Sequence, residues 1–265
     1  MAPKEISMHA TIRKGIAGAL IATILAVSSA AVATAVSPGP VNGGPAGNGA
    51  CAAQAAAARA ARTTRTVAAF RAFGDCEISR RLATLTTLSG IVSGAKGMTT
   101  SDKAALVAEL GSTRSGLTAL KATIDSQTSI PALKLDIVAI DAKFRVYLLV
   151  APQVDLARAA DDVVALQPHF ASISTNLAAR IATAQGNGKD VSAAQTALAD
   201  MNAKVAAAAA LAAPVPQKLL PLTAAQFNAG IAGPIVTGAR NSVAQARDDL
   251  KAAVADGKAV VADLK

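Results

Sequence analysis

The run Phe144-Arg145-Val146-Tyr147-Leu148-Leu149-Val150-Ala151-Pro152-Gln153-Val154-Asp155-Leu156-Ala157-Arg158-Ala159-Ala160-Asp161-Asp162 lies within Ile130–Gln185, the only segment long enough to connect the two halves of the chain. Upstream, Leu133, Ile137, Ile140, Phe144, Tyr147, Ala151 and Val154 recur at alternating steps of four and three, the spacing of one helix face. One more heptad lands on Arg158 and Asp161, which cannot sit in a dry seam. The apolar stripe resumes instead as Leu156, Ala160, Val163, Leu166, Phe170, Ile173, Leu177 and Ile181. From Val154 to Leu156 the helix surface turns by about 200°. The segment therefore reads as one long helix, twice interrupted, whose first half buries one side and whose second half buries nearly the opposite side. Pro152 and Pro168 bracket the change, and each removes a backbone donor and favours a kink.

Working outward, the flanking segments carry seams of the same period. Ile78, Leu82, Leu85, Leu88 and Val92 form one, ended by Gly90, Gly94 and Gly97. Thr99, Thr100 and Ser101 supply N-cap hydroxyls, and Asp102 falls in a first turn, where the helix dipole favours a carboxylate. The next stripe, Leu106, Leu110, Thr113, Leu117, Leu120 and Ile124, has coiled-coil spacing. Downstream, Gly186-Asn187-Gly188 is a stop, and Asp190 or Ser192 can cap the helix that follows. Thr223 can cap a short helix holding Phe227 and Ile231, Gly233-Pro234 interrupts, and Val236, Ala239, Val243, Ala246, Leu250, Ala253, Gly257, Val260 and Leu264 run to the end in one register.

These registers predict an all-α fold: elongated antiparallel helical bundles with coiled-coil-like seams, sharing one long kinked central helix. Residues 51–152 form the first bundle and 153–265 the second; a single compact six-helix bundle is the alternative. Composition agrees, because alanine dominates, aromatics are 2% and Trp is absent. A core of Ala, Leu, Val and Ile buries little area per residue, so the helices must approach closely.

Lys4, Arg13 and Lys14 precede an apolar run from Gly15 that passes into small residues, with Ala31-Val32-Ala33 and Ala33-Thr34-Ala35 as cleavage patterns. Residues 1–35 have the anatomy of a secretory signal peptide; left uncleaved, the run is long enough for an anchor, the chain's one expected membrane contact. Residues 36–50, with Pro38, Pro40, Pro45 and five glycines, read as a flexible linker. Export and an even number of cysteines make Cys51 and Cys76 a candidate disulfide. A continuous helix over 52–73 would hold them roughly 30 Å apart. Either the first turns fold back, or Cys51 pairs elsewhere, or both thiols stay free. Within 52–73, Arg59, Arg62 and Arg65 form a basic strip, readable as a contact for anionic lipid or polymer or as a solvated face. Gly74-Asp75 offers a break or a cap after it, or a continuous helix runs through it.

The net charge is +9; without residues 1–35 the chain keeps 23 basic against 16 acidic residues, or +7. This excess attracts polyanions without choosing among them. With one Tyr and five Phe mostly at core spacing, stacking platforms for single-stranded nucleic acid are lacking, and export also argues against a nucleic-acid partner. Beyond His9 in the leader, His169 is the only histidine, and no nucleophile-elbow, phosphate-loop or zinc-helix motif occurs. The sequence therefore predicts no enzyme, no metal site and no cofactor. Asp155, Arg158 and Asp162 fall on one helix face as an ion-pair ladder, with Asp141 and Arg145 as a similar pair. Arg145, Tyr147, Asp155, Arg158 and Asp161 are the candidate interaction residues at the crossover.

The stretches Arg81-Leu82-Ala83-Thr84-Leu85, Ser101-Asp102-Lys103-Ala104-Ala105-Leu106, Ser115-Gly116-Leu117-Thr118-Ala119-Leu120-Lys121 and Phe144-Arg145-Val146-Tyr147 through Ala159-Ala160-Asp161 resemble a group of exported, Ala-rich helical proteins of high-GC actinobacteria. The likeness covers most of residues 76–265. It implies compartment and fold, and it carries over no activity and no functional residues. The functional expectation is an exported spacer or interaction scaffold at the cell envelope, its partner an unidentified protein. The alternative is a binder of anionic lipid or cell-wall polymer through the basic Ala-rich helix.

Overall fold

The computed structural model describes residues 51–64 and 66–265, with the backbone alone for 61–64. The leader, the Pro/Gly linker, Arg65 and the side chain of Arg62 lie outside the described residues. Among the described residues every regular element is a helix.

Two helices, α1 (Ala52–Thr64) and α2 (Val67–Gly94), replace the single helix predicted over 52–73. Thr66 between them is extended, with φ −89° and ψ 114°. Thr63-Thr64-Arg65-Thr66 places three β-branched residues in four positions, and such residues lose side-chain freedom against a preceding helical turn. α1 folds back on α2, and Cys51 and Cys76 are bridged with their Cα atoms 5.9 Å apart. The fold-back removes the 30 Å separation that a continuous helix would impose. Gly74 does not break α2; a Cβ there would lie 3.1 Å from Cδ1 of Ile124, so the glycine lets α2 and α3 (Thr100–Ser126) come close.

α3 begins at Thr99, whose Oγ1 accepts the Asp102 N–H at 3.1 Å, as the capping pattern predicts. It buries Leu106, Leu110, Thr113, Leu117 and Ile124, with Leu120 packed at the edge of the same cluster. α2, α3 and α4 (Ile130–Phe144) pack on one another.

The long helix predicted over Ile130–Gln185 is three helices: α4, α5 (Ala151–Ala165) and α6 (Gln167–Gly186), with a π-helical turn at Val146–Val150 before α5. The break falls at Arg145, which is left-handed at φ 43° and ψ 37°, the one non-glycine residue with positive φ among those described. Neither proline kinks a helix interior; Pro152 and Pro168 lie in the first turns of α5 and α6, where a missing N–H costs least. In an unbroken helix the Pro152 ring would collide with the Leu148 carbonyl. The wider turn avoids this, with the Val150 N–H reaching Arg145 O at 3.3 Å and the Ala151 N–H reaching Val146 O.

α6 ends in a Schellman motif: Gly188 has φ 78°, the Gly188 N–H bonds Gln185 O at 2.9 Å, and the Lys189 N–H bonds Ala184 O at 3.1 Å. Then come α7 (Ser192–Ala212), α8 (Val215–Leu219), α9 (Ala224–Asn228) and α10 (Ala232–Asp263). Thr223 and Gln226 form a capping box on α9, which stops short of Ile231. Gly233-Pro234 falls in the first turn of α10 and does not interrupt it. α10 buries Val236, Ala239, Val243, Ala246, Leu250, Ala253, Gly257 and Val260 as it runs along α7. At Gly257 a Cβ would lie 3.2 Å from Met201 Sδ, so the missing side chain sets how closely α7 and α10 meet. Ser192–Leu219 is long and apolar enough by composition to cross a membrane, the only such helix among the described residues. Alanines supply much of that hydropathy, and Lys204 of α7 pairs with Asp256 of α10 at 2.5 Å.

The buried apolar side chains fall into two clusters. One gathers residues of α1 to α4 with Val146, Val150, Ala151, Val154 and Ala157. The other gathers Leu149, Leu156, Ala159, Ala160 and Val163 with residues of α6 to α8 and α10. The stripe does change sides between Val154 and Leu156, but the two registers overlap from Leu149 to Ala157, so both sides of the chain are buried there at once.

Replacing Cys51 and Cys76 by Ser removes a loop closure across 25 residues, which costs about 3 kcal/mol. Urea unfolding should read the loss, and limited proteolysis should cut first between α1 and α2. Equal stability of the oxidised protein and the double variant would refute it.

Candidate functional site

From Ala151 to Asp161 every residue is buried except Asp155 and Arg158, which are half-buried. A helix so enclosed must satisfy its polar side chains within the protein. Gln153 is 1% exposed, and its Nε2 donates to Leu219 O at 2.9 Å and to Leu222 O at 3.0 Å. These carbonyls lie at and beyond the end of α8, where a helix leaves acceptors over; Leu219 O also takes the Leu222 N–H at 3.1 Å. Gln153 thus ties α5 to the α8–α9 connection. Sequence spacing does not mark it, because a lone glutamine between apolar residues carries no periodic signal.

Asp161 is 6% exposed and accepts the Thr99 N–H on Oδ2 at 3.2 Å, joining α5 to the start of α3. Burial pushes its pKa up to about 6; the Thr99 hydrogen bond opposes the rise, and the nearby Asp102 and Asp162 carboxylates add to it. Burial also raises Asp155 and Asp162, with Arg158 pulling both back. Arg158 Nε lies 3.5 Å from Asp162 Oδ2, so the predicted ladder exists at that rung, and Asp155 feels Arg158 through its field. Arg247 of α10 shares the neighbourhood; burial lowers its pKa, Asp162 raises it and Arg158 lowers it. Gly97 closes the site from the α2–α3 loop, since a Cβ there would collide with Asp162 Oδ1.

The other candidates go elsewhere. The Asp141–Arg145 pair does not form: the left-handed backbone swings Arg145 away, and its Nε donates to Asn228 Oδ1 at 2.7 Å while its guanidinium lies 5.4 Å from the Phe227 ring centre. Asn228 Nδ2 returns a bond to Ala142 O at 2.7 Å, so α4 and α9 are joined in both directions. Asp141 pairs instead with Arg81 at 2.5 Å. Arg81, 2% exposed, also bonds Glu77 at 2.5 Å. Burial pulls its guanidinium pKa down, but Glu77 and Asp141 outweigh burial and the net shift is upward. Tyr147 was predicted in the seam; its ring sits beside Arg80 and Arg81, at 4.8 and 5.2 Å. Of the five crossover residues, only Asp155 and Arg158 share a neighbourhood; each of the others fastens a different element.

Arg59 is exposed on α1, beside a cleft of about 370 Å³ that it lines together with Lys134. The walls are Ala55 and Ala58 of α1, Phe70 and Phe73 of α2, and Ile137 and Val138 of α4. Lys134 Nζ stands 5.7 Å from the Phe70 ring centre. Sequence reasoning placed Arg59 on a strip but could not find the cleft, which exists only because α1 folds back. His169 is exposed, and among the described residues no group of three or more His, Cys, Asp or Glu side chains could hold a metal ion.

Two outcomes test this reading of α5. Gln153→Leu strands the Leu222 carbonyl, while Leu219 O keeps the Leu222 N–H, and should cost about 1–3 kcal/mol in urea unfolding, whereas Arg158→Ala, at a half-exposed pair, should cost under about 1 kcal/mol. For Asp161, a folded pKa near 6 against an ordinary 3.8 means the folded state binds the proton more tightly. The stability it confers is full below about pH 4 and is lost as pH rises through 6, a swing of up to about 3 kcal/mol. Thermal melts from pH 4 to 7 should show that fall in the wild type and a flatter profile in Asp161→Asn, whose amide oxygen keeps the Thr99 bond. Identical profiles would refute it. No protein-family model, curated protein or solved structure matches this chain.

Proposed function

We propose that this chain is an exported, non-enzymatic helical protein that serves as a spacer or protein-interaction scaffold at the cell envelope. The observation that carries the reading is the double burial of α5. Its apolar residues belong to both clusters, and its buried polar groups Gln153 and Asp161 bond neighbouring elements. A helix fixed from both sides sets one bundle at a constant offset from the other, which suits a protein whose work is to hold things at a distance. The leader of residues 1–35 and the linker of 36–50 support an extracytoplasmic place. So does the resemblance to exported Ala-rich proteins.

Protease added to intact cells should degrade the protein while sparing cytoplasmic markers. Small-angle scattering of the purified protein should show a rigid two-lobed particle whose profile does not change with salt, and crosslinking in cells should yield a discrete partner adduct. A compact spherical profile would overturn the spacer reading, and turnover in a broad hydrolase screen would overturn the non-enzymatic one.

A further inference from the structure

The cleft between α1, α2 and α4 goes beyond a scaffold role, and its chemistry is unlike that of the crossover. Its body is apolar, with alanines on α1 giving depth and Phe70, Phe73, Ile137 and Val138 giving the sides. Its two charged lining residues, Arg59 of α1 and Lys134 of α4, are both cationic and both exposed. No carboxylate lines it. Val138 is 64% exposed, and Leu135, three residues before it on α4, is 73% exposed, so the apolar surface continues from the cleft along one face of α4. Its volume lies at the lower end of the range for small-molecule sites.

These features select a ligand. Apart from Arg59 and Lys134 no lining side chain can hydrogen-bond, so the many polar groups of a sugar or nucleotide find few partners here. An aliphatic chain needs nothing from such walls except removal from water. Two cations lining one apolar slot complement a negative head group. We propose that this cleft binds a single-chain anionic amphiphile as a monomer, with its acyl chain between α1 and α4 and its carboxylate or phosphate head between Arg59 and Lys134. The disulfide closes the site, because Cys51–Cys76 holds α1, the wall that carries Ala55, Ala58 and Arg59, against α2.

The test is isothermal titration calorimetry on the purified oxidised protein with dodecanoate, dodecyl phosphate, dodecyl maltoside and dodecyltrimethylammonium, each below its micelle concentration. Saturable one-to-one binding of dodecanoate or dodecyl phosphate supports the proposal, and which of the two binds tighter identifies the head group. Arg59→Glu combined with Lys134→Glu should weaken that binding about tenfold and remove the preference over dodecyl maltoside. Ala55→Phe fills the slot and should weaken every chain at least about tenfold. Val138→Glu, at an exposed position that folding does not depend on, should do the same for the anionic ligands with the melting temperature unchanged. The proposal is overturned by no saturable binding, by equal binding of the cationic amphiphile, or by affinity that Val138→Glu leaves intact. Binding to anionic vesicles without binding of the monomeric amphiphiles would also overturn it, assigning the face to a membrane surface instead.

Discussion

A helix buried on opposite sides at once must meet two demands together: it must be slim enough for neighbours to approach from both directions, and it must leave no polar group without a partner. Ala151, Ala157, Ala159 and Ala160 meet the first demand in α5. Asp161 and the amide nitrogen of Gln153 answer the second by reaching to elements on either side, the start of α3 and the α8–α9 connection, while Gln153 Oε1 is buried without a partner. The two apolar clusters are thereby joined through shared residues, where two cores linked by a hinge would be free to reorient. An alanine-rich sequence with few aromatics suits this solution, because the close approach that makes up for small side chains is the same approach that encloses the central helix.

Much of the helical pattern was legible. α10 buries its whole predicted stripe apart from the terminal Leu264, with Ala232 and Val254 in addition, and the buried residues of α3 all belong to theirs, because an uninterrupted amphipathic helix packed on one side writes its environment into a simple period. The change of side between Val154 and Leu156 was legible for the same reason. What the period could not show is that both registers overlap, since alanine is silent in a hydrophobicity pattern: Ala157 and Ala159 face different clusters with the same letter. The break at Arg145 was hidden as well. Arginine gives no turn signal, and its left-handed backbone comes from accommodating Pro152 seven residues later, an effect that spacing rules assign to the proline itself. The disulfide depends on α1 folding back, an alternative the sequence leaves open but does not select, because the extended backbone at Thr66 between the two helices carries no signal in a helical period.

The electrostatics of the central helix follow from the same enclosure. Asp155, Asp161 and Asp162 all have pKa values raised chiefly by burial, and the nearby arginines are few and partly desolvated themselves. The crossover thus holds carboxylates that cost stability when ionised, fixed by the geometry of a joint that needs polar links. Arg158 and Asp161 stand out in the sequence as misfits in an apolar seam; Arg158 is half-buried, but Asp161 is buried all the same, held by the Thr99 N–H. Their partners on α3, α9 and α10 could not be seen, because contacts across tens of residues leave no mark in local spacing.

The covalent bridge at Cys51 has a mechanical consequence. Because it joins the residue just before α1 to the body of α2, a pull applied through the preceding chain bypasses α1 and residues 65–66. The load passes directly into α2, which is clamped by α3, α4 and α5. The α1–α2 contacts are taken out of the line of force, so a tether attached on that side would be resisted by the core of the bundle rather than by the peeling of α1.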